Sequence, residues 1–162
     1  MTSPRMQAGY MRPSEVAVNL AFFLTPVADV VWLPSSARVG EAVDSLRHHG
    51  YSSVPVLDPQ RRYVSAVTAR DLLSHLALPE GDVSDRLDRV TRRAHTRAVG
   101  IETDIRGLLA VAADQNFVPV VDSRGVMMGI VTRRAILTFC ERLLAEHGLL
   151  PPTPPGPGGD KL

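Results

Sequence analysis

The chain has 162 residues, enough for one compact domain or one tightly paired module with a sizeable core. A formal charge of +1 gives no general pull toward nucleic acid, and the single Cys140 excludes an internal disulfide framework and a cysteine-rich zinc site, so a reducing compartment is expected. Lys161 is the only lysine against seventeen arginines, so any anion would be met by planar, bidentate guanidinium groups.

Arg5 and Arg12 precede an apolar stretch over residues 16–24 that has the outline of a signal peptide. Asn19 interrupts it, no small-x-small cleavage site follows, and it is too short to span a bilayer. A packed N-terminal helix stopped by Pro26 is expected instead. An opening strand is placed over 29–33. Val39, Ala42, Val43 and Leu46 recur at helical spacing, and Gly50 caps that helix. Residues 54–57 and 62–67 read as strands joined by the turn Asp58-Pro59-Gln60-Arg61. Asp71, Leu72, Leu73 and Leu76 open the next helix.

The order then recurs. Val54-Pro55-Val56-Leu57-Asp58 returns sixty-four residues later as Val118-Pro119-Val120-Val121-Asp122, and the same offset pairs Val67-Thr68 with Val131-Thr132, Arg70 with Arg134 and Leu73 with Leu137. The second copy offers an opening strand over 98–101, a helix around Ile105, Leu108, Leu109 and Ala112, strands over 118–121 and 127–131, and a closing helix over 133–147 that takes Cys140 into its core. The loop before its central strand is about two residues shorter if Phe117 is set against Tyr51. Two units that each expose an apolar face are expected to fold on each other, with function in the cleft between them. The organisation is therefore an N-terminal segment (1–24), repeat one (25–79), a linker (80–96), repeat two (97–147) and a disordered Pro/Gly tail (148–162).

Two strand-to-helix turns carry the chemistry. Thr68 and Asp71 have the spacing of a capping box, worth about 1 kcal/mol to the helix, with ligand contact as the alternative. Thr132-Arg133-Arg134 puts two cations into a helix's first turn, where each costs roughly 0.3–1 kcal/mol against the helix dipole. A phosphate would compensate, held by backbone N–H groups, the Thr132 hydroxyl and the guanidinium forks; otherwise both arginines point outward. Gly50-Tyr51-Ser52-Ser53 supplies an aromatic face and hydroxyls that suit a base, or else Tyr51 packs on the helix that Gly50 ends.

Arg86, Arg89, Arg92, Arg93 and Arg97, with His95, form a solvated linker face or a docking surface for an acidic partner. No aromatic residue interleaves with them to stack bases, so nucleic acid is not expected as a partner. No HExxH, Gly-x-Ser-x-Gly, Walker loop or GxGxxG is present, so catalytic residues and metal ligands are not assigned and the chain is read as no enzyme.

The element order, with Ser65-Ala66-Val67-Thr68-Ala69-Arg70-Asp71 and Gly129-Ile130-Val131-Thr132-Arg133-Arg134-Ala135, resembles the cystathionine-beta-synthase (CBS) domain, which occurs as a tandem pair called a Bateman module. The resemblance covers residues 25–146. Repeat one lacks the motif's glycine, and repeat two lacks the aspartate that in this family usually holds a ribose. The string from Gly50 to Pro59, together with Gly129-Ile130-Val131-Thr132-Arg133-Arg134, is similar to the small stand-alone bacterial CBS-pair proteins that bind cyclic di-AMP.

The resemblance implies an α/β (α+β) fold of two β-α-β-β-α repeats packed as a pseudo-symmetric module, and a cytoplasmic homodimer. It implies a non-enzymatic nucleotide sensor that regulates a partner protein of unknown identity, with no membrane association and no cofactor. The ligand implied is cyclic di-AMP, with AMP or ATP as the alternative and a ligand-free interaction module as a third reading. Tyr51, Ser52 and Ser53 would hold one adenine, Asp29 and Val31 would line the same pocket, and Thr132, Arg133 and Arg134 would reach the phosphates. Thr68 and Asp71 would form a second, mononucleotide site.

Overall fold

The computed structural model describes residues 19–91 and 96–149. The N-terminal portion of the expected first helix, the tail from 150 onward, and Arg92, Arg93 and His95 lie outside them. Within the described part, the expected N-terminal helix is a single 3-10 turn over Leu20–Phe22, and Asn19 is its cap rather than an interruption: the side chain accepts from the Ala21 N–H at 2.9 Å.

Repeat one contains β2 (Leu33–Pro34), α1 (Val39–His49), β3 (Ser53–Leu57), β4 (Tyr63–Thr68) and α2 (Ala69–Leu76). Repeat two contains β5 (Val99–Gly100), α4 (Ile105–Ala112), β6 (Phe117–Val121), β7 (Met127–Thr132) and α5 (Arg133–Glu146). Between them lies one turn of helix, α3 (Asp88–Thr91). In each repeat the opening strand pairs parallel with the central strand, Leu33 with Val56 and Val99 with Val120. The central strand then pairs antiparallel with its hairpin partner, Ser53 with Thr68 and Phe117 with Thr132. The expected opening strand over 29–33 is shorter than read, because Val27–Asp29 forms a 3-10 turn and pairing begins at Leu33.

The pairing refines the repeat. From β3 onward equivalent residues are sixty-four apart, so Phe117 matches Ser53 and not Tyr51. The opening strands and first helices are sixty-six apart, as Leu33 and Val99 show. The missing two residues therefore fall in the loop between α4 and β6. Two cores form, one on Val39, Ala42, Leu46, Val54, Val56 and Val67, the other on Leu108, Ala112, Val118, Val120, Val131 and Ile136. Cys140 packs, partly buried, against the second.

The repeats join at two places on a pseudo-two-fold axis. Arg62 and Val126 bridge antiparallel, with Tyr63 N–H donating to the Gly125 carbonyl and Met127 N–H to the Arg61 carbonyl, each at 3.0 Å. The Asn116 amide donates to the Ser52 hydroxyl at 3.1 Å. Both pairs link residues sixty-four apart, as an axis through them requires.

One strand departs from the repeat. β1 (Thr25–Pro26), at the very start of repeat one, adds to the sheet of repeat two, pairing Thr25 with Ile130 and Pro26 with Gly129. Leu20 and Phe23 go with it into the second core. A side chain at Gly129 would place its Cβ 2.1 Å from the Thr25 carbonyl oxygen, which accounts for the glycine at this motif position. Repeat one carries Ser65 there. Its buried hydroxyl lies within hydrogen-bond reach of the carbonyls of Ala66 (3.2 Å) and Thr91 (3.5 Å), and among the described residues no strand pairs with β4 on that side.

Candidate functional site

The loop after α1 sets one wall of a cleft. Gly50 is left-handed (φ 66°), letting Tyr51 N–H return to the Leu46 carbonyl at 3.1 Å, and the chain turns into β3 through Ser52 and Ser53. The opposite wall is Thr25 and the turn through Asp29, Val30 and Val31; the floor is Asn116, Phe117, Ile130 and Thr132 of repeat two. These residues enclose about 390 Å³ at the junction of the repeats, near the lower end of the roughly 300–1,000 Å³ of ligand pockets.

Six residues singled out from the sequence line this one hollow: Asp29, Val31, Tyr51, Ser52, Ser53 and Thr132. Tyr51 is half exposed, its ring stacked on His49 with centroids 5.4 Å apart. The outward packing of Tyr51 on the preceding helix thus coexists with its place on the cleft wall. The Thr132 hydroxyl accepts from the Ala135 N–H at 3.1 Å and caps α5. Asn116, which the sequence reading passed over, also lines the cleft. Its sixty-four-residue match to Ser52 was the signal that could have found it, and setting Phe117 against Tyr51 hid that match.

Arg133 and Arg134 part company. Arg133 does not line the cleft. Its guanidinium donates to the carbonyls of Ala112, Ala113 and Gln115 at 3.1–3.2 Å, closing the C-terminal end of α4. Repeat one solves the same problem with Gly50, and repeat two, lacking a glycine there, uses this arginine. The cost of a cation at the start of α5 is thus offset by the carbonyl end of α4, which balances Arg133 within the chain itself.

Arg134 instead borders a neighbouring hollow of about 560 Å³ with Phe22, Phe23, Phe139 and Arg142. Thr132 borders both hollows.

Thr68 and Asp71 form the reciprocal cap that their spacing suggests. Asp71 N–H donates to Thr68 Oγ1 at 3.1 Å, while the Asp71 carboxylate accepts from Thr68 N–H at 2.9 Å and from its hydroxyl at 2.6 Å. Asp71 also borders a polar hollow of about 440 Å³ with Ser74, His75, Glu80 and Arg89. Here Asp85 accepts from Arg89 at 2.7 Å and lies 3.0 Å from His75 Nε2. The Asp82 N–H, helped by His75 and Arg89, holds the Asp85 carboxyl below the usual range although burial opposes it. Arg86 pairs with Asp88 at 3.6 Å, so the described arginines of the linker are engaged with acids of the linker itself. No described helix is long and apolar enough to cross a membrane.

The geometry has counterparts among known proteins. The CBS domain family model matches residues 23–78. A CBS domain protein from Streptococcus pneumoniae is 28% identical and superposes with a TM-score of 0.69, covering 75% of this chain and 86% of that one. The crystal structure of CbpB in complex with c-di-AMP gives a TM-score of 0.72 at 20% identity, over 82% of this chain and 90% of that chain. CbpB from Listeria monocytogenes, also in complex with c-di-AMP, gives 0.70 at 23% identity, over 79% and 98%.

Proposed function

We propose, from the premise that this chain carries a CBS domain and folds as a CBS-domain pair, that its inter-repeat cleft is the site of a non-enzymatic adenine-nucleotide sensor. The ligand is cyclic di-AMP, and occupancy regulates a partner protein. The observation that carries this reading is the convergence of Asp29, Val31, Tyr51, Ser52, Ser53 and Thr132 on one hollow. Two similar folds are those of proteins in complex with c-di-AMP, which supports the choice of ligand.

At about 390 Å³ the cleft takes one adenosine half. The phosphates cross Thr132 toward Arg134, and the second half reaches the neighbouring hollow with its phenylalanine rings. Arg133 is left to α4. Binding shifts whatever surface the partner reads by no more than the ligand's differential affinity for the two states.

The chain acts as a homodimer in the cytoplasm. Leu73 (71% exposed) and Leu137 (62% exposed), sixty-four apart on α2 and α5, present matching apolar surface to a second copy. Light scattering on the purified chain checks this, a monomer at all concentrations being the contrary result.

Calorimetric titration with cyclic di-AMP, AMP, ATP and cyclic di-GMP tests the ligand. Cyclic di-AMP is expected to bind tightest and to lose about tenfold in Arg134→Ala, about 1.4 kcal/mol. AMP or ATP at Thr68 and Asp71 is the second reading, motivated by the polar hollow at Asp71; binding of AMP or ATP that ignores Arg134→Ala but disappears in Asp71→Ala would establish it. No thermal shift with any nucleotide would leave a ligand-free interaction module, since a ligand at a hundred times its dissociation constant adds about 2.7 kcal/mol.

A further inference from the structure

Ser52 and Asn116 meet across the pseudo-two-fold axis, sixty-four residues apart, and both line the cleft of about 390 Å³. An exact repeat would set serine against serine there, and two hydroxyls would already make the tie. Asparagine carries more than the tie requires. Its amide nitrogen gives one hydrogen to the Ser52 hydroxyl at 3.1 Å. The second hydrogen and Oδ1 are left over, and among the described residues neither has a hydrogen-bond partner.

A carboxamide edge, an acceptor beside a donor, is the complement of adenine, whose amino group donates beside a ring-nitrogen acceptor. Guanine and hypoxanthine carry an oxygen in place of that amino group, so acceptor would meet acceptor. The direction of the bond between Asn116 and Ser52 decides between them. Were Ser52 the donor, the amide would turn over and its nitrogen would suit the 6-oxo group instead. A hydroxyl has one hydrogen, and a ligand atom that takes it, a ring nitrogen or a phosphate oxygen, leaves Oγ able only to accept from Asn116. The bound state therefore keeps Oδ1 as the acceptor offered to the base.

We propose that Asn116 selects a 6-aminopurine over a 6-oxopurine in this cleft, with Ser52 fixing the sense of its amide. This rests on the adenine-nucleotide reading of the cleft. A site whose polar groups are committed to an amino group rejects a base without it, because those groups are then left unpaired or opposed. Arg134, placed at the phosphates by the same reading, makes no such choice, since a guanidinium meets the phosphates of every cyclic dinucleotide alike.

The test is calorimetric titration of the full chain with cyclic di-AMP, cyclic di-IMP and cyclic di-GMP, read as ratios of affinity. The parent chain is expected to bind cyclic di-AMP about tenfold more tightly than either 6-oxo analogue, or better. Asn116→Ala is expected to weaken cyclic di-AMP by about tenfold and to leave cyclic di-IMP nearly unchanged, so that the ratio collapses. Asn116→Ser keeps a hydroxyl opposite Ser52 and serves if the alanine variant fails to fold; it too is expected to lose the ratio. Arg134→Ala is expected to weaken all three by one factor and keep the ratio. A folded Asn116 variant that keeps the parent's ratio, at whatever affinity, overturns the proposal and leaves Asn116 as a tie between the repeats, with the nucleotide reading standing. A parent chain that binds cyclic di-AMP and cyclic di-IMP alike overturns it in the same way. A parent chain that binds none of the three overturns the proposal and the cyclic di-AMP reading together.

Discussion

At the scale of single residues, Arg133 and Arg134 show how adjacent identical side chains divide their work. Both are exposed cations in the first turn of α5, but only Arg133 points back at the three carbonyls that end α4. Arg133→Ala is expected to lower stability by about 1.5 kcal/mol, the worth of a charge-assisted hydrogen bond, without changing nucleotide affinity. Urea unfolding and calorimetry on the same variant check both halves. Asp58 and Asp122 are a second matched pair, each closing a hairpin turn. Asp122 accepts from the N–H groups of Val126 and Arg124 at 2.9 Å each, and Asp58 from those of Arg62 and Gln60 at 2.8 and 2.9 Å. For Asp122 the Val126 N–H is the leading influence; for Asp58 burial is the largest single one and acts upward, but the contacts from Arg62 and Gln60 together outweigh it. Both carboxyls therefore sit below their ordinary value when folded. Such groups stabilise fully above the unfolded value of about 3.9 and lose that contribution as pH falls through the folded value. The Asp58→Asn, Asp122→Asn double variant should show a flatter fall in urea midpoint below about pH 4 than the parent chain.

At the scale of elements, β1 is a two-residue strand whose position no local pattern announces. Its pairing with β7 brings the Thr25 carbonyl over Gly129, so Gly129→Ala must push β1 away or bend β7. A loss of about 1–3 kcal/mol is expected, the usual range for an overpacked site, read as a lower denaturation midpoint. Ser65→Gly, at the matching place in repeat one, should cost less, because among the described residues β4 has no ladder partner on that side. The helices were legible because Val39, Ala42 and Leu46, and later Leu108 and Ala112, bury one face at the helical period. The strand-to-helix turn at Thr68 was legible for a related reason: a capping box is local chemistry between residues three apart. The 3-10 turn at Leu20–Phe22 was read as part of a longer helix, and Asp29, the last residue of the turn Val27–Asp29, as the start of a strand, because an apolar run of that length has no period to tell them apart.

At the scale of the whole molecule, the N-terminal segment ties the repeats together. Leu20 and Phe23 lie in the core of repeat two although repeat one follows them directly in sequence, and the Phe23 ring meets Phe139 edge-on at 4.7 Å. Phe23→Ala is expected to cost about 3–5 kcal/mol and to loosen repeat two first, which hydrogen exchange would show as lost protection in β7 and α5 ahead of β3 and β4. A family resemblance put Asp29 and Val31, and the residues themselves Tyr51, Ser52, Ser53 and Thr132, on the candidate list that one hollow brings together, and the amino-acid order by itself determined that there are two copies of one unit and which strands and helices each contains. Those readings succeed because periodicity, turn chemistry and internal repetition are properties of neighbours along the chain. Tertiary structure alone decided that β1 crosses to the far sheet, that Arg133 serves α4, and that Asn116 meets Ser52 on the axis. Each of these is a contact between residues distant in sequence, set by how two faces pack, and a linear pattern holds no record of which distant carbonyl or hydroxyl a side chain will find.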